Sequence, residues 1–189
     1  MLKTDHVLDA KGLQCPMPIV KTKKKIAELN PGEVLEVLAT DKGSKADIKA
    51  WAENSGHQYI GTIEEDGVLK HYLRKASREE TKEEIKYETV IDNETLKEKL
   101  AAKEEMTIID VREKAEYAFG HIPSAISIPF GELEARIAEL KKEDDIYVVC
   151  RTGNRSDLAC RTLQNAGFQK VTNVVPGMSS WDGEIEKNY

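Results

Sequence analysis

The chain is predicted to be an α/β protein of two dissimilar units. Three observations point that way. A nearly uninterrupted charged stretch, Ala-Ser-Arg-Glu-Glu-Thr-Lys-Glu-Glu-Ile-Lys over 76–86, holds one large apolar residue and reads as a linker. The first 75 residues carry two helical patterns and four strand patterns, in the order strand, helix, strand, helix, strand, strand. The residues after 88 carry short apolar strands separated by helices, the pattern of a parallel sheet covered on both faces. The expected division is therefore 1–75, a charged linker at 76–88, and 89–189.

In the first unit, Val7-Leu8-Asp9 suggests a short strand. A helix is expected from Pro16 to about Leu29, with Ile19, Ile26 and Leu29 on one face and Asn30-Pro31-Gly32 as its stop. Glu33 to Ala39 reads as a strand. Ser44 is placed to cap a helix over 45–54, which Gly56 ends. Strands at Tyr59–Glu64 and Val68–Arg74 flank Glu65-Asp66-Gly67, whose Asp-Gly step signals a hairpin. This order predicts a two-layer sandwich with both helices on one face of the sheet. In the second unit, strands are expected at Thr107–Val111, Ala125–Ile128, Ile146–Cys150 and Val171–Val175. Helices are expected at Glu94–Ala102, Glu132–Leu140 and Ser156–Ala166, with a short one near Ser179–Trp181. Ser77 and Glu80 have capping-box spacing, so part of the linker could be a solvated helix.

Composition narrows the function. The 189 residues carry a formal net charge of -6, against the basic excess usual for nucleic-acid binders. The first unit is nearly neutral and the second acidic. Charges interrupt the N-terminal segment, and no run approaches a membrane span, so the cytoplasm is the expected compartment. The 3 cysteines, Cys15, Cys150 and Cys160, form neither a disulfide framework nor a Cys-x-x-Cys pair. His6, His57, His71 and His121 are scattered, so no metal site is expected.

Cys150 closes the apolar strand Ile146-Tyr147-Val148-Val149. It is followed by Arg151-Thr152-Gly153-Asn154-Arg155-Ser156 and then a helix. In parallel sheets ligands bind at the carboxyl ends of strands. A loop entering a helix there points backbone N–H groups at one spot, and the helix dipole favours anions. Arg151 and Arg155 add charge, so a thiol in that cradle is expected to be a nucleophile at neutral pH beside a bound oxyanion such as thiosulfate. The other reading is a buried core thiol at a strand end.

Cys15 stands in Leu13-Gln14-Cys15-Pro16-Met17-Pro18. Two prolines in a first turn fix the helix start and set Cys15 at or just before it. The helix dipole, with Lys21, Lys23, Lys24 and Lys25 following, is expected to lower the Cys15 thiol pKa. A helix cap that happens to be cysteine is the alternative. Cys160 lies between Ala159 and Leu163 on the apolar face of its helix, which suits a small core residue; a resolving thiol is the other possibility. Arg112 and Glu116, four apart, are expected to pair. His57 and His121 read as structural.

Two resemblances attach to these residues. Over about residues 89–184 the chain resembles a single-domain rhodanese. The likeness rests on the Cys150–Ser156 loop, Ile109-Asp110-Val111-Arg112, Glu116-Tyr117, Gly120-His121-Ile122-Pro123, and Pro176-Gly177-Met178 with Trp181. Ser124 and Pro176 depart from it, standing where glycine is common. Related cysteine phosphatases and arsenate reductases have a longer loop; the four residues between Cys150 and Arg155 suit the transferable sulfur of a persulfide. Over about residues 5–75 the chain resembles the TusA sulfur carriers. There the likeness rests on Leu8-Asp9-Ala10-Lys11-Gly12-Leu13, Cys-Pro-x-Pro, Thr40-Asp41 with Ser44 and Asp47-Ile48, and Gly56-His57.

Together the resemblances imply a fusion of a TusA-like carrier domain and a rhodanese-like domain. Cys150 and Cys15 would be catalytic, and Arg151, Thr152, Gly153, Asn154, Arg155 and Ser156 would hold the substrate. Cys150 would take sulfur from thiosulfate or a low-molecular-weight persulfide and exchange it with Cys15, then with a thiol or protein acceptor. The reaction needs no cofactor, and neither nucleic acid nor membrane is an expected partner. The linker can reach roughly 35 Å when extended, which allows the two thiols of one chain to meet. A non-catalytic binding or sensing module that docks on a partner enzyme, and a phosphatase or arsenate reductase, are the rival classes.

Overall fold

The computed structural model describes residues 2–76 and 86–189. The chain divides into two compact units, Met1–Thr81 and Lys82–Tyr189. The capping-box helix expected at Ser77 and Glu80 lies outside the described residues.

The first unit has β1 (His6–Asp9), α1 (Met17–Glu28), β2 (Val34–Ala39), α2 (Ser44–Asn54), β3 (Gln58–Glu65) and β4 (Val68–Arg74). Its four-stranded sheet has the order β1-β2-β4-β3. β1 and β2 run parallel and are joined through α1, while β2–β4 and β3–β4 are antiparallel. The hairpin forms where Asp-Gly predicts it: Asp66 (φ 52°) and Gly67 (φ 76°) both adopt positive φ, as a type I′ turn requires. In α1 the buried residues are Pro18, Thr22 and Ile26, and in α2 they are Ser44, Ile48 and Ala52. Spacing of four aligns each set on one helix face. Those faces meet Leu35, Val37 and Leu73 of the sheet in one apolar core.

The second unit has β5 (Val90–Asp92), α3 (Asn93–Ala101), β6 (Thr107–Asp110), α4 (Lys114–Phe119), β7 (Ile126–Ser127), α5 (Leu133–Arg136), β8 (Ile146–Val149), α6 (Asn154–Asn165) and β9 (Val171–Val175). The sheet order is β5-β9-β8-β6-β7, and every pairing is parallel. Side chains alternate between its faces. Ile109, Val148 and Val171 pack under Leu133, Ala159, Cys160 and Leu163 on one face. Ile108, Val149 and Val174 pack against Leu96 and Ile122 on the other. This is the doubly covered sheet that the apolar runs predict.

Three elements differ from expectation. The helix expected at Glu132–Leu140 is one α turn between 3₁₀ turns at Phe130–Glu132 and Ile137–Glu139. Leu133 is the one fully buried residue of that stretch, and one anchor does not sustain a longer helix. The edge strand β5 and most of α4 escape prediction, because at three and six residues neither is long enough to show a period.

Candidate functional site

Cys150 follows the last residue of β8 and is completely buried. The chain then turns through Gly153, whose φ of 94° is the left-handed conformation that glycine adopts without strain, and enters α6 at Asn154. This turn aims the Gly153 N–H at the Cys150 Sγ at 3.1 Å. The Ser156 Oγ lies 3.3 Å from the same sulfur. Ser156 donates its hydroxyl to Asn173 Oδ1 at 2.6 Å, so its lone pairs are left for a Cys150 S–H. Asn173, buried on β9, also donates to the Gly153 carbonyl at 3.2 Å. One carboxamide thereby fixes both groups that touch the sulfur.

The backbone of Cys150 is held from the opposite side by the turn after β9. Met178 N–H donates to the Cys150 carbonyl at 2.8 Å, and Ser179 N–H to that of Arg151 at 2.9 Å. Gly177 makes this approach possible: a Cβ there would stand 2.3 Å from the Cys150 carbonyl oxygen. Buried Asn93, at the start of α3, clamps Gly177 through both its N–H (3.1 Å) and its carbonyl (2.9 Å).

The remaining loop residues separate into two groups. Arg151 and Thr152 are exposed at the rim, and Asn154 is half-buried. Arg155 is buried and forms a two-pronged ion pair with Glu116 of α4, at 2.8 and 2.9 Å. The expected pairing of Arg112 with Glu116 gives way to Arg112 with Asp110, at distances down to 2.6 Å. Asp110 and Arg112 are neighbours at the end of β6, whereas Glu116 faces α6. Glu116 also accepts from the Glu113 N–H at 2.8 Å, capping its own helix. Ser124 has a φ of 69°, in the left-handed region, which accounts for the glycine usual at that position.

Cys15 is exposed, two residues before α1, with Pro16 and Pro18 at the helix start. Thr40 and Asp41, just after β2, gather the loop that carries it. Thr40 accepts from Gly12 N–H at 2.9 Å, and Asp41 from Cys15 N–H at 2.9 Å and from Gly43 N–H at 3.0 Å. The thiol itself donates to Asp47 Oδ2 at 3.1 Å. The expectation of a lowered thiol pKa is overturned. The hydrogen bond to Asp47 pushes it up, with slight desolvation and the charges of Asp47 and Asp41 acting the same way. A carboxylate that accepts the thiol proton, with a second one nearby, favours the protonated form.

A buried polar chain fixes this second loop from behind. Ser44 donates to the Asp41 carbonyl at 2.6 Å and lies 2.9 Å from His71 Nε2. His71 Nδ1 lies 2.7 Å from the Thr62 hydroxyl. With the Ser44 proton committed to Asp41, His71 carries its proton on Nε2. Burial, then the charge of Lys45, lowers the His71 pKa to about 4. Cys160 is buried, and burial pushes its thiol up, as a core residue requires. His121 is stacked on Tyr117 at 3.6 Å. Asn93 and His71 carry no local sequence signal for these roles, and Asn173 carries one, a carboxamide within the apolar run Val171–Val175.

Comparison with known proteins agrees with both halves. The family model described as "Sulfurtransferase TusA" matches residues 6–75, and that of the "Rhodanese-like domain" matches residues 92–184. The chain is 51% identical to "Putative sulfur carrier protein YrkF" of Bacillus subtilis, over 98% of this chain and 100% of that one. It is 37% identical to a sulfurtransferase of Allochromatium vinosum, over 48% of this chain and 85% of the other. Among solved structures, a rhodanese-like domain protein of Staphylococcus aureus superposes with a TM-score of 0.51 at 32% identity, covering 54% of this chain and all 100% of that chain. The protein belongs to the sulfurtransferase family in which a TusA domain and a rhodanese-like domain share one chain.

Proposed function

We propose that Cys150 takes sulfane sulfur from thiosulfate or a low-molecular-weight persulfide, holds it as a persulfide, and exchanges it with Cys15 and onward with a thiol acceptor. One observation carries this reading: a buried cysteine at a strand end whose sulfur already receives a loop N–H, in a chain that also exposes a cysteine at a helix start. The Cys150 thiolate attacks the outer sulfur of thiosulfate. The new S–S bond forms as the old one breaks, and sulfite leaves with the electron pair. Backbone N–H groups of the Arg151–Ser156 loop bear the resulting charge. Arg151 and Thr152 at the rim meet the anionic donor. Arg155, held by Glu116, positions α6 and the loop rather than meeting substrate. An acceptor thiolate then attacks the outer sulfur of the persulfide, without change in total oxidation state and without a cofactor. All three cysteines are free thiols, which suits the reducing cytoplasm.

The test combines turnover with mapping. In a thiosulfate–cyanide assay Cys150→Ser abolishes activity, and Cys15→Ser retains most of it. After a short exposure to thiosulfate carrying labelled outer sulfur, label is found first on the Cys150 peptide and later on the Cys15 peptide. Equal loss of activity in both variants refutes the assignment of Cys150. Label that never reaches Cys15 refutes the relay.

A further inference from the structure

The Cys15 site differs from the Cys150 site in the sign of what surrounds the sulfur. At Cys150 a backbone N–H points at Sγ. At Cys15 the sulfur is itself the donor, and its partner is the carboxylate of Asp47. Asp47 lies in the first turn of α2, and Asp41 lies in the loop before it with its carboxylate on the Cys15 N–H. These two carboxylates are the charged groups that act on the thiol; Lys21, Lys23 and Lys24 on α1 are exposed to solvent. The carboxylates are not loosely placed. Ser44, the first residue of α2, is tied to the Asp41 carbonyl and to buried His71.

This arrangement treats the two states of Cys15 unequally. The empty thiol has a proton to give Asp47. A persulfide is a stronger acid than its parent thiol, so at neutral pH its outer sulfur is an anion with no proton to donate. Loading therefore replaces a hydrogen bond by a repulsion between like charges. We propose that Asp47, with Asp41 behind it, makes Cys15 a poor store and a ready donor of sulfane sulfur, so that sulfur reaching Cys15 is handed on. The inference rests on Cys15 carrying sulfur at all, as set out above. The favoured step balances as written. An acceptor thiol gives up its proton and attacks the outer sulfur. The bond between that sulfur and Cys15 Sγ breaks, and its electron pair stays on Cys15. Cys15 takes up one proton, which it shares with Asp47. No oxidant or reductant enters, and the class of reaction that consumes the product is a further thiol-to-persulfide exchange.

The experiment uses the full chain carrying Cys150→Ser, so that Cys15 is the exchanging cysteine. The protein is equilibrated with fixed ratios of glutathione persulfide to glutathione, and persulfide on the Cys15 peptide is measured by mass spectrometry from pH 5 to pH 10. Asp47→Asn is expected to raise the equilibrium occupancy ratio severalfold near neutral pH. Asp41→Asn shifts it the same way by less, and Asp47→Glu restores the parent value. The gain has a maximum in pH. At low pH a protonated persulfide again donates to Asp47, and at high pH the empty thiolate is repelled as well. In a parallel arm, iodoacetamide alkylates Cys15 faster at neutral pH in Asp47→Asn than in the parent. Occupancy that is unchanged, that falls in Asp47→Asn, or that rises equally at every pH overturns the proposal. If the parent takes up no sulfur at Cys15 under any ratio, the carrier reading itself fails; if it loads and the variants match it, the carrier role stands and the role of Asp47 falls.

Discussion

Replacing Arg155 with alanine is expected to unfold the second unit under mild conditions rather than merely slow turnover. The sequence suggests the opposite, a substrate-binding arginine whose loss spares the fold. In the structure its side chain is 9% exposed and that of Glu116 is 1% exposed, and two hydrogen bonds join them. Removing the guanidinium takes its two-pronged ion partner from a buried carboxylate, which costs about 3–5 kcal/mol. For a unit of this size each kcal/mol shifts the melting temperature by roughly 4–8 °C, so the loss is about 12 °C or more. Trp181 fluorescence reports the second unit when Trp51 is replaced by phenylalanine. In that background Arg155→Ala melts well below the parent, while exposed Arg151→Ala stays within about 0.5 kcal/mol of it. The double variant Glu116→Gln/Arg155→Met recovers much of the loss, because neither member of this pair is then charged and glutamine still accepts from the Glu113 N–H. A melting temperature within about 2 °C of the parent for Arg155→Ala, with reduced turnover, refutes this reasoning and returns the arginine to the substrate.

Three further outcomes follow from the geometry. Gly177→Ala forces a Cβ against the Cys150 carbonyl and disfavours φ 96°, so thiosulfate turnover falls at least about tenfold even where circular dichroism is native, as misplaced reacting groups predict. The first unit loses stability on acidification. His71 has a folded pKa of about 4, below its unfolded value, so the unfolded chain binds more protons between about pH 6.5 and pH 4; stability is full above that window and falls by up to about 3 kcal/mol through it. Thermal melts of the parent against His71→Gln measure this, and the variant shows a flatter pH dependence. Native protein treated with iodoacetamide is labelled at Cys15 and not at Cys160, read by peptide mass spectrometry, until denaturant opens the core around α6.

Much of the architecture is legible because it is local. Apolar alternation or short apolar runs mark β2, β4, β6, β8 and β9 to within two residues, and the Asp66-Gly67 turn appears where its dihedral preferences demand. The strand–loop–helix of Cys150 is legible for the same reason. What escapes is polar and distant in sequence. Arg155 finds its partner 39 residues away, and no local pattern distinguishes Glu116 from Asp110 as the acceptor for either arginine. Asp47 acts on Cys15 across 32 residues, so the lysines next to Cys15 dominate a linear reading while carboxylates dominate in space. β5 is legible only once β9 exists to pair with it.

The complete burial of Cys150 bears on which of two sulfur atoms an acceptor can reach. In any persulfide both sulfurs are electrophilic. Attack on the outer one passes the sulfane atom on. Attack on the inner one expels hydrosulfide and leaves a mixed disulfide. The loop that shields Sγ is fixed at both ends, by Gly177 against the Cys150 carbonyl and by Glu116 against Arg155. An added sulfur would stand about 2 Å from Sγ, and Arg151 and Thr152 of the same loop are exposed. In the proposed persulfide the inner atom would be the one in contact with the Gly153 N–H and the Ser156 hydroxyl. On the proposed function, burial of this kind would favour the productive bond by access alone, and it would guard the unloaded cysteine against bulky disulfides.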